Sequence, residues 1–150
     1  MPAYADNYLN ITSTDAIVTL QCEAVIPVAV QLQNFSTDQS VTVDEVTIAE
    51  GRMGVDGGFA AGYIPVEKSL TITLEANSPS TQYLASIMEA AMANRTTYNV
   101  TITVDLPSVG MRYIYTNGTM ISGVVMSNPK KLLEPTTWKF KFAKMGREQI

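Results

Sequence analysis

The sequence predicts a mainly β fold: an antiparallel β-sandwich or barrel-like domain with one α-helix at about residues 78–94 and a long inter-strand loop at about residues 49–66. Three observations predict it. Apolar and polar residues alternate with a period of two in several segments, as in strands that bury one face. One segment has apolar residues at helical spacing, and turn residues separate the strands. The 150 residues are expected to form a single domain, 1–150.

The strand alternation is most regular in residues 69–76 and 98–106, and Trp138, Phe140 and Phe142 repeat it near the C-terminus. Each of these segments predicts a half-buried strand, because successive side chains of a strand point to opposite faces of the sheet. Weaker alternation predicts further strands at residues 16–20, 28–35 and 41–48.

Two turns are predicted to join strands into a three-stranded meander. Asn117-Gly118 separates residues 111–116 from residues 119–126, and Asn-Gly supplies the positive φ values that a tight hairpin turn needs. The turn residues at 106–110 join the first of these strands to the strand before it.

The predicted helix begins at Ser78, whose hydroxyl can cap the free amides of the first turn, with Pro79 in the first helical position. The apolar stripe that predicts it has the spacing i, i+3, i+4 and i+7 and consists of Leu84, Ile87, Met88 and Ala91. We therefore expect one face of this helix to pack against a sheet.

The segment between the strands at 41–48 and 69–76 is unusual for a loop. Five glycines make an internal core of its own unlikely to form, yet several of its side chains are too apolar for a solvated loop. Apolar surface that one chain cannot bury marks a contact with a partner. The candidate contact residues are Arg52, Met53, Val55, Asp56, Phe59, Tyr63 and Ile64.

Composition excludes several classes of function. A net charge of −4 argues against a protein that grips nucleic acid, because that affinity requires cations to neutralise phosphates. The absence of His removes His-based metal sites and the usual catalytic bases, and a single Cys22 excludes an intrachain disulfide. We predict no enzyme activity, no cofactor and no metal. The chain is expected to be soluble, with no membrane segment, and made in a reducing cytoplasm.

Two polar strand faces and a basic cluster each have two interpretations. The polar faces are either the wet side of a sandwich or the wall of a water-filled channel built by several subunits, which DNA could traverse without binding. Their residues are Thr71, Thr73, Glu75, Thr101, Thr103 and Asp105. The basic cluster either keeps an edge strand unpaired or forms a charged seam to a neighbouring protein. It consists of Lys130, Lys131, Lys139, Lys141, Lys144 and Arg147.

Several short strings, in this order and spacing, resemble the inner tail tube proteins of contractile-tailed bacteriophages, which are related in fold to the tubes of type VI secretion and pyocin-like particles. These strings are Met53-Gly54-Val55-Asp56-Gly57, Ala61-Gly62-Tyr63, the run from Ile72 to Ser80, Leu106-Pro107-Ser108-Val109-Gly110, and Trp138-Lys139-Phe140-Lys141-Phe142.

The resemblance implies a structural virion protein of the tail, assembled in the host cytoplasm, whose copies form hexameric rings stacked into a hollow tube for DNA passage. It implies that the loop at 49–66 reaches the adjacent ring and that a sheath protein contacts the helix or the basic C-terminal strand. Baseplate and tail terminator proteins are further implied partners. Residues 1–10 are either an arm that orders against a neighbour or a frayed terminus.

A monomeric β-sandwich that serves as a binding or adaptor module of a virion baseplate is the alternative. Such modules often bind ligands through exposed aromatic residues. Trp138 argues against this alternative, because the strand alternation places its side chain in the core.

Overall fold

The period-two alternation produces one large antiparallel sheet and a separate two-stranded hairpin. The computed structural model describes residues 16–33, 35 and 41–150. In chain order, the elements within these residues are β1 (Ile17–Cys22), β2 (Ile26–Gln31), β3 (Val41–Val43), β4 (Ala49–Met53), β5 (Phe59–Tyr63), β6 (Lys68–Leu74), α1 (Thr81–Asn94), β7 (Val100–Leu106), β8 (Met111–Gly123) and β9 (Thr136–Gln149).

The seven-stranded sheet has the order β2-β1-β7-β8-β9-β6-β3, and each neighbouring pair is antiparallel. β4 and β5 pair only with each other in the second sheet. The predicted class, a mainly β antiparallel fold with one helix, is confirmed. The large sheet is open, with β2 and β3 as its edges, and it does not close into a barrel.

The core lies on one face of the seven-stranded sheet. Trp138, Phe140 and Phe142 of β9 are at most 1% exposed and form its centre. The Trp138 indole Nε1 donates a hydrogen bond to the Thr136 hydroxyl at 3.1 Å, so its polar atom is satisfied inside the core. Cys22 is also fully buried, and its thiol is free.

The helix α1 ends where predicted but begins three residues later, at Thr81 instead of Ser78. Ser80 occupies the N-cap position without a side-chain cap hydrogen bond. The Ser80 hydroxyl accepts from the Gln33 amide at 2.8 Å, and Ser78 Oγ donates to the Gln33 carbonyl. Ser78 Oγ also accepts from the Ser80 amide at 3.2 Å, so it satisfies one amide just before the helix. Leu84 and Ile87 of the predicted stripe are buried, so the helix packs on the core as expected.

The predicted turn at Asn117-Gly118 is wrong, because β8 runs without interruption from Met111 to Gly123. Asn117 does have a positive φ of 55°, but the strand pairing only shifts register near this point. The positive φ therefore serves a bulge instead of a hairpin turn. β9 pairs with β8 on both sides of the bulge, so β8 continues as one strand.

The predicted 49–66 loop is wrong as a loop, since most of it is the β4–β5 hairpin. Other weak strands are shorter or shifted: β2 ends at Gln31, and β3 covers only Val41–Val43. The expected arm at residues 1–10 lies outside the described residues.

Candidate assembly surface

The β4–β5 hairpin has one apolar face and one polar face. Cross-strand partners lie on the same face of a hairpin, and successive pairs lie on opposite faces. Three alternate pairs share one face: Ala49 with Tyr63, Gly51 with Ala61, and Met53 with Phe59. The apolar hairpin face therefore consists of Ala49, Gly51, Met53, Phe59, Ala61 and Tyr63. The opposite face carries Glu50 and Arg52.

This apolar face is uncovered. Every residue of both strands is exposed, and the large side chains Met53, Phe59 and Tyr63 are 66%, 67% and 75% exposed. The Phe59 ring lies diagonally over Gly51, where an added Cβ would stand only 2.8 Å from Phe59 Cε1. Gly51 thus leaves room for the ring to lie flat on the hairpin. An exposed apolar face of this kind is typical of a protein–protein contact.

The turn of the hairpin uses its polar atoms internally. Asp56 Oδ1 accepts a hydrogen bond from the Gly58 amide at 3.0 Å, and the Gly54 amide donates to the Gly58 carbonyl at 2.7 Å. Gly57 has φ +87°, a conformation that glycine adopts without strain. No group of three or more potential metal ligands occurs among residues 16–33, 35 and 41–150. Asp56 is therefore a turn residue.

The structure separates the seven predicted contact residues into three sets. Met53, Phe59 and Tyr63 share the apolar hairpin face, whereas Arg52 points to the opposite face. Val55 and Asp56 lie in the turn and are exposed. Ile64 is half-buried at the base of the hairpin, where its amide donates to the Ile48 carbonyl at 2.8 Å.

The predicted channel residues of β6 and β7 lie on the face of the seven-stranded sheet opposite the core, which we call the polar sheet face. All are half-buried, and they are Thr71, Thr73, Thr101, Thr103 and Asp105. They form two rows instead of one, because β9 and β8 lie between β6 and β7. Glu75 follows the last residue of β6 and is outside the sheet.

Ion pairs that the sequence analysis missed cross this polar sheet face. Arg112 Nε contacts Asp105 Oδ1 at 2.7 Å, and Arg112 Nη1 contacts Glu148 Oε1 at 3.0 Å. The Arg112 guanidinium donates hydrogen bonds to Asp105 and to Glu148, and these bonds raise its pKa. Lys141 Nζ pairs with Glu67 at 3.1 Å, and its hydrogen bond lowers the pKa of the Glu67 carboxyl. The carboxylates of this face are therefore largely neutralised.

Only part of the basic cluster lies along a strand edge. In its first half, β9 pairs with β6 on one side and β8 on the other, so the edge-strand interpretation is wrong for Lys139 and Lys141. Lys144 and Arg147 lie in the second half, which pairs with β8 alone. Lys139 and Lys141 lie on the polar sheet face, beside Thr71 and Ser69 of β6. The alternation of Trp138 to Phe142 already contained this information, because it assigns both lysines to the polar side of the strand.

A second exposed apolar patch lies between β8 and β9 and was also missed. Its side chains are 41% to 84% exposed and belong to Val124, Val125, Met126, Leu132 and Leu133. Lys130 and Glu134 form an ion pair at 2.7 Å in this segment, and Asn128 Nδ2 donates to Glu134 at 3.1 Å. The hydrogen bonds from Lys130 and Asn128 lower the pKa of Glu134.

Comparison with known proteins relates the chain to phage-tail and injection-system proteins. The model of a family described as tail fiber protein gp32 matches residues 9–146. No curated protein matches by sequence. No helix within the described ranges is long and apolar enough to cross a membrane.

Solved structures with the same fold share little sequence with this chain. A chain from the sheath-tube complex of an extracellular contractile injection system, PVC, in the extended state has a TM-score of 0.65 at 12% identity, with 100% of both chains covered. A chain from the PVC sheath/tube terminator has a TM-score of 0.63 at 12% identity, and the match covers 94% of this chain and 98% of that one. A chain from the anti-feeding prophage tube terminating cap has a TM-score of 0.59 at 11% identity, and the match covers 100% of both chains.

Proposed function

The chain belongs to the tail fiber protein gp32 family, and we propose that it is a structural virion protein whose copies form stacked hexameric rings, the hollow tail tube for DNA passage. The observation that carries this proposal is the uncovered apolar hairpin face. An isolated two-stranded hairpin is only marginally stable in water. In a monomer, the β4–β5 hairpin would have no buried side chain in either strand to stabilise it. Burial against another copy would supply the missing stabilisation.

Contacts between rings are assigned to the hairpin, as the resemblance implies. Met53, Phe59 and Tyr63 supply the apolar area, and Val55 and Asp56 lie in the exposed turn. Full burial of a large apolar side chain contributes about 1.5–3 kcal/mol. Because each of the three is two thirds to three quarters exposed, about 1–2 kcal/mol per side chain remains to favour stacking.

Contacts within a ring are assigned to the open sheet edges. β2 and β3 each leave one side without a strand partner among the described residues. Exposed edges are prone to pair with other chains, and a closed ring of subunits would remove them. Val28, which is 74% exposed on β2, would be covered at the same time.

The polar sheet face is proposed as the wall of the channel. Its two rows of threonine hydroxyls, Thr71 with Thr73 and Thr101 with Thr103, are neutral. Asp105 is paired with Arg112. Lys139 and Lys141 lie on the same face. Together with Arg112 they balance Glu67, Asp105 and Glu148, which leaves little net charge to hold phosphates. Glu75 would lie at the end of the β6 row. DNA would then pass without specific binding.

The partners of such a tube would be a sheath protein on the outside and baseplate and terminator proteins at its ends. The outward side of α1 is one candidate surface for the sheath, and the second half of β9, with Lys144 and Arg147, is the other. Lys139 and Lys141 of β9 lie on the polar sheet face and would instead line the channel. The similar structures come from sheath, tube, terminator and cap assemblies, which supports partners of this kind. We propose no enzymatic role and no cofactor.

A short ring that ends or initiates a tube is a second candidate function. It is favoured by similar chains in the terminating cap and in the anti-feeding prophage baseplate, the latter with a TM-score of 0.54 at 13% identity. The family description also names a tail fiber protein and not a tube. In both functions the chain is a structural component and copies of it contact one another.

Native mass spectrometry over a concentration series tests the hexamer. Six copies of 16.3 kDa give a particle of about 98 kDa, and multiples of this mass would indicate stacking. The Phe59→Asp variant, whose side chain is exposed in the single chain, should give no species larger than one ring. A wild-type protein that stays at 16.3 kDa at every concentration and in the presence of a baseplate template would refute the proposal.

A further inference from the structure

The described residues do not fully cover the core face of the seven-stranded sheet. A groove of about 490 Å³ opens between the two halves of the sheet, with Val43 and Leu70 on one wall and Leu106, Tyr113 and Met145 among the residues on the other. Val43 is 56% exposed and Met145 is 41% exposed, so solvent reaches apolar side chains here. This volume is within the range that accepts ring-sized groups.

The helix does not close this groove. α1 packs at the other end of β8, where a Cβ at Gly123 would meet Trp138 Cζ3 at 2.7 Å and Met88 Cε at 3.1 Å. Gly123 is eight residues from Tyr115, about 26 Å along the strand at 3.3 Å per residue. The groove and α1 therefore occupy separate parts of the core face.

We propose that this groove receives the apolar hairpin face of a second copy of the chain. The inference rests on the proposed function, because it identifies the surface that the hairpin contacts. The hairpin is suited to it in chemistry, since Met53, Phe59 and Tyr63 form a continuous apolar strip with no charge on the same face.

Charge is compatible with this contact. The groove carries one charge of each sign, Asp44 and Lys68, and the polar face of the hairpin likewise carries Glu50 and Arg52. Lys68 Nζ already donates to the Ala143 carbonyl at 3.1 Å. Docking the hairpin by its apolar face leaves Glu50 and Arg52 in solvent and buries no unpaired charge from the hairpin.

The size of the contact explains why it would operate in an assembly. Large side chains bury about 150–250 Å² each, so the three of the hairpin, at two thirds to three quarters exposed, offer on the order of 300–500 Å². A stable protein pair needs about 800 Å² per partner. One hairpin in one groove is thus a weak pair, and the contact persists when other contacts between copies reinforce it.

The geometry of the contact is head-to-tail. The hairpin and the groove are different surfaces, so each copy donates one and accepts one, and the contact repeats from copy to copy. Two hairpins pairing by their apolar faces would instead give an isolated two-fold dimer. The two arrangements are therefore distinguishable by which positions come close.

Disulfide capture tests the proposal. Met53→Cys in one preparation and Val43→Cys in another are mixed with a mild thiol oxidant, and the dimer is measured on a non-reducing gel. Both positions are exposed, so the variants should fold, and Cys22 is fully buried and serves as the unreactive background. The matched control is Ala60→Cys with Val43→Cys, because Ala60 lies on the polar face of the same hairpin.

We expect at least tenfold more heterodimer from Met53→Cys with Val43→Cys than from the Ala60→Cys control. Equal capture of the two pairs would overturn the inference. A Met53→Cys homodimer as the main product would overturn it in favour of two-fold hairpin pairing. No capture, in a preparation whose native mass spectrum shows multiples of the hexamer mass, would reject the groove while leaving the proposed function standing. If hexamers are also absent, both proposals fail.

Discussion

Replacement of Phe59 by Ala should weaken assembly while leaving the fold intact. The Phe59 side chain is 67% exposed in the single chain, so about two thirds of its burial energy remains available for a contact with another copy. Full burial of a phenylalanine is worth about 1.5–3 kcal/mol, which leaves roughly 1–2 kcal/mol per contact. Since 1.4 kcal/mol is a factor of ten, the concentration needed for assembly should rise about 5–30-fold.

Sedimentation velocity over a concentration series measures this shift, and thermal unfolding of the monomer measures the fold. The melting temperature should change by no more than about 2 °C, because the substitution affects exposed surface. Met92→Ala is the matched control, since Met92 is 62% exposed on α1, away from the hairpin. An assembly midpoint that moves equally in both variants would refute the assignment of the hairpin.

Three further predictions concern the fold itself. Gly118→Ala should lower the free energy of unfolding in urea by about 1–3 kcal/mol, because the new Cβ would stand 2.6 Å from Phe142 Cγ; an unchanged midpoint would contradict this packing. Leu84→Ala should lower the free energy of unfolding by about 2–5 kcal/mol in the same assay, since Leu84 of α1 is fully buried in the core. A decrease of less than about 1 kcal/mol would mean that the helix does not pack on the sheet. The Glu134 carboxyl should titrate below 4.5 by NMR and return toward that value in Lys130→Ala. Because the pKa of Glu134 is lowered on folding, its ion pair with Lys130 stabilises the 124–135 segment above pH 4.5, and this stabilisation is lost as the pH falls further. A Glu134 titration midpoint that Lys130→Ala leaves unchanged would contradict the pairing.

Alternation was sufficient to predict the centre of the sheet. β6, β7 and the first half of β9 lie where the periodic pattern placed them, because each buries one face against the same core. The helix stripe was equally informative, with Leu84 and Ile87 buried as expected. Strong burial of one face makes register and element type readable from sequence.

The errors arise where burial does not decide the structure. Five of the ten residues of β4 and β5 are glycine or alanine and none is buried, so the strand pattern was hidden and the segment was predicted as a loop. At Asn117 a local preference for positive φ indicated a turn, but pairing of β8 with the long β9 outweighed it. Pairing between distant segments is not visible in a local window.

The candidate site was predicted in part. The contact segment was located from its exposed apolar residues, but only the cross-strand pairing shows that Met53, Phe59 and Tyr63 share one face while Arg52 does not. The Asp105–Arg112–Glu148 ion pairs join three strands, and no spacing in the sequence predicts them.

Negative-stain electron microscopy of the purified protein over a concentration series would show directly whether copies of the chain assemble. The wild-type chain should form hollow tubes of constant diameter, and Phe59→Asp should form shorter tubes or none. Single rings that never lengthen would favour the terminating or initiating role instead. Uniformly monomeric particles at every concentration, with and without a baseplate template, would contradict the claim that this chain assembles with itself.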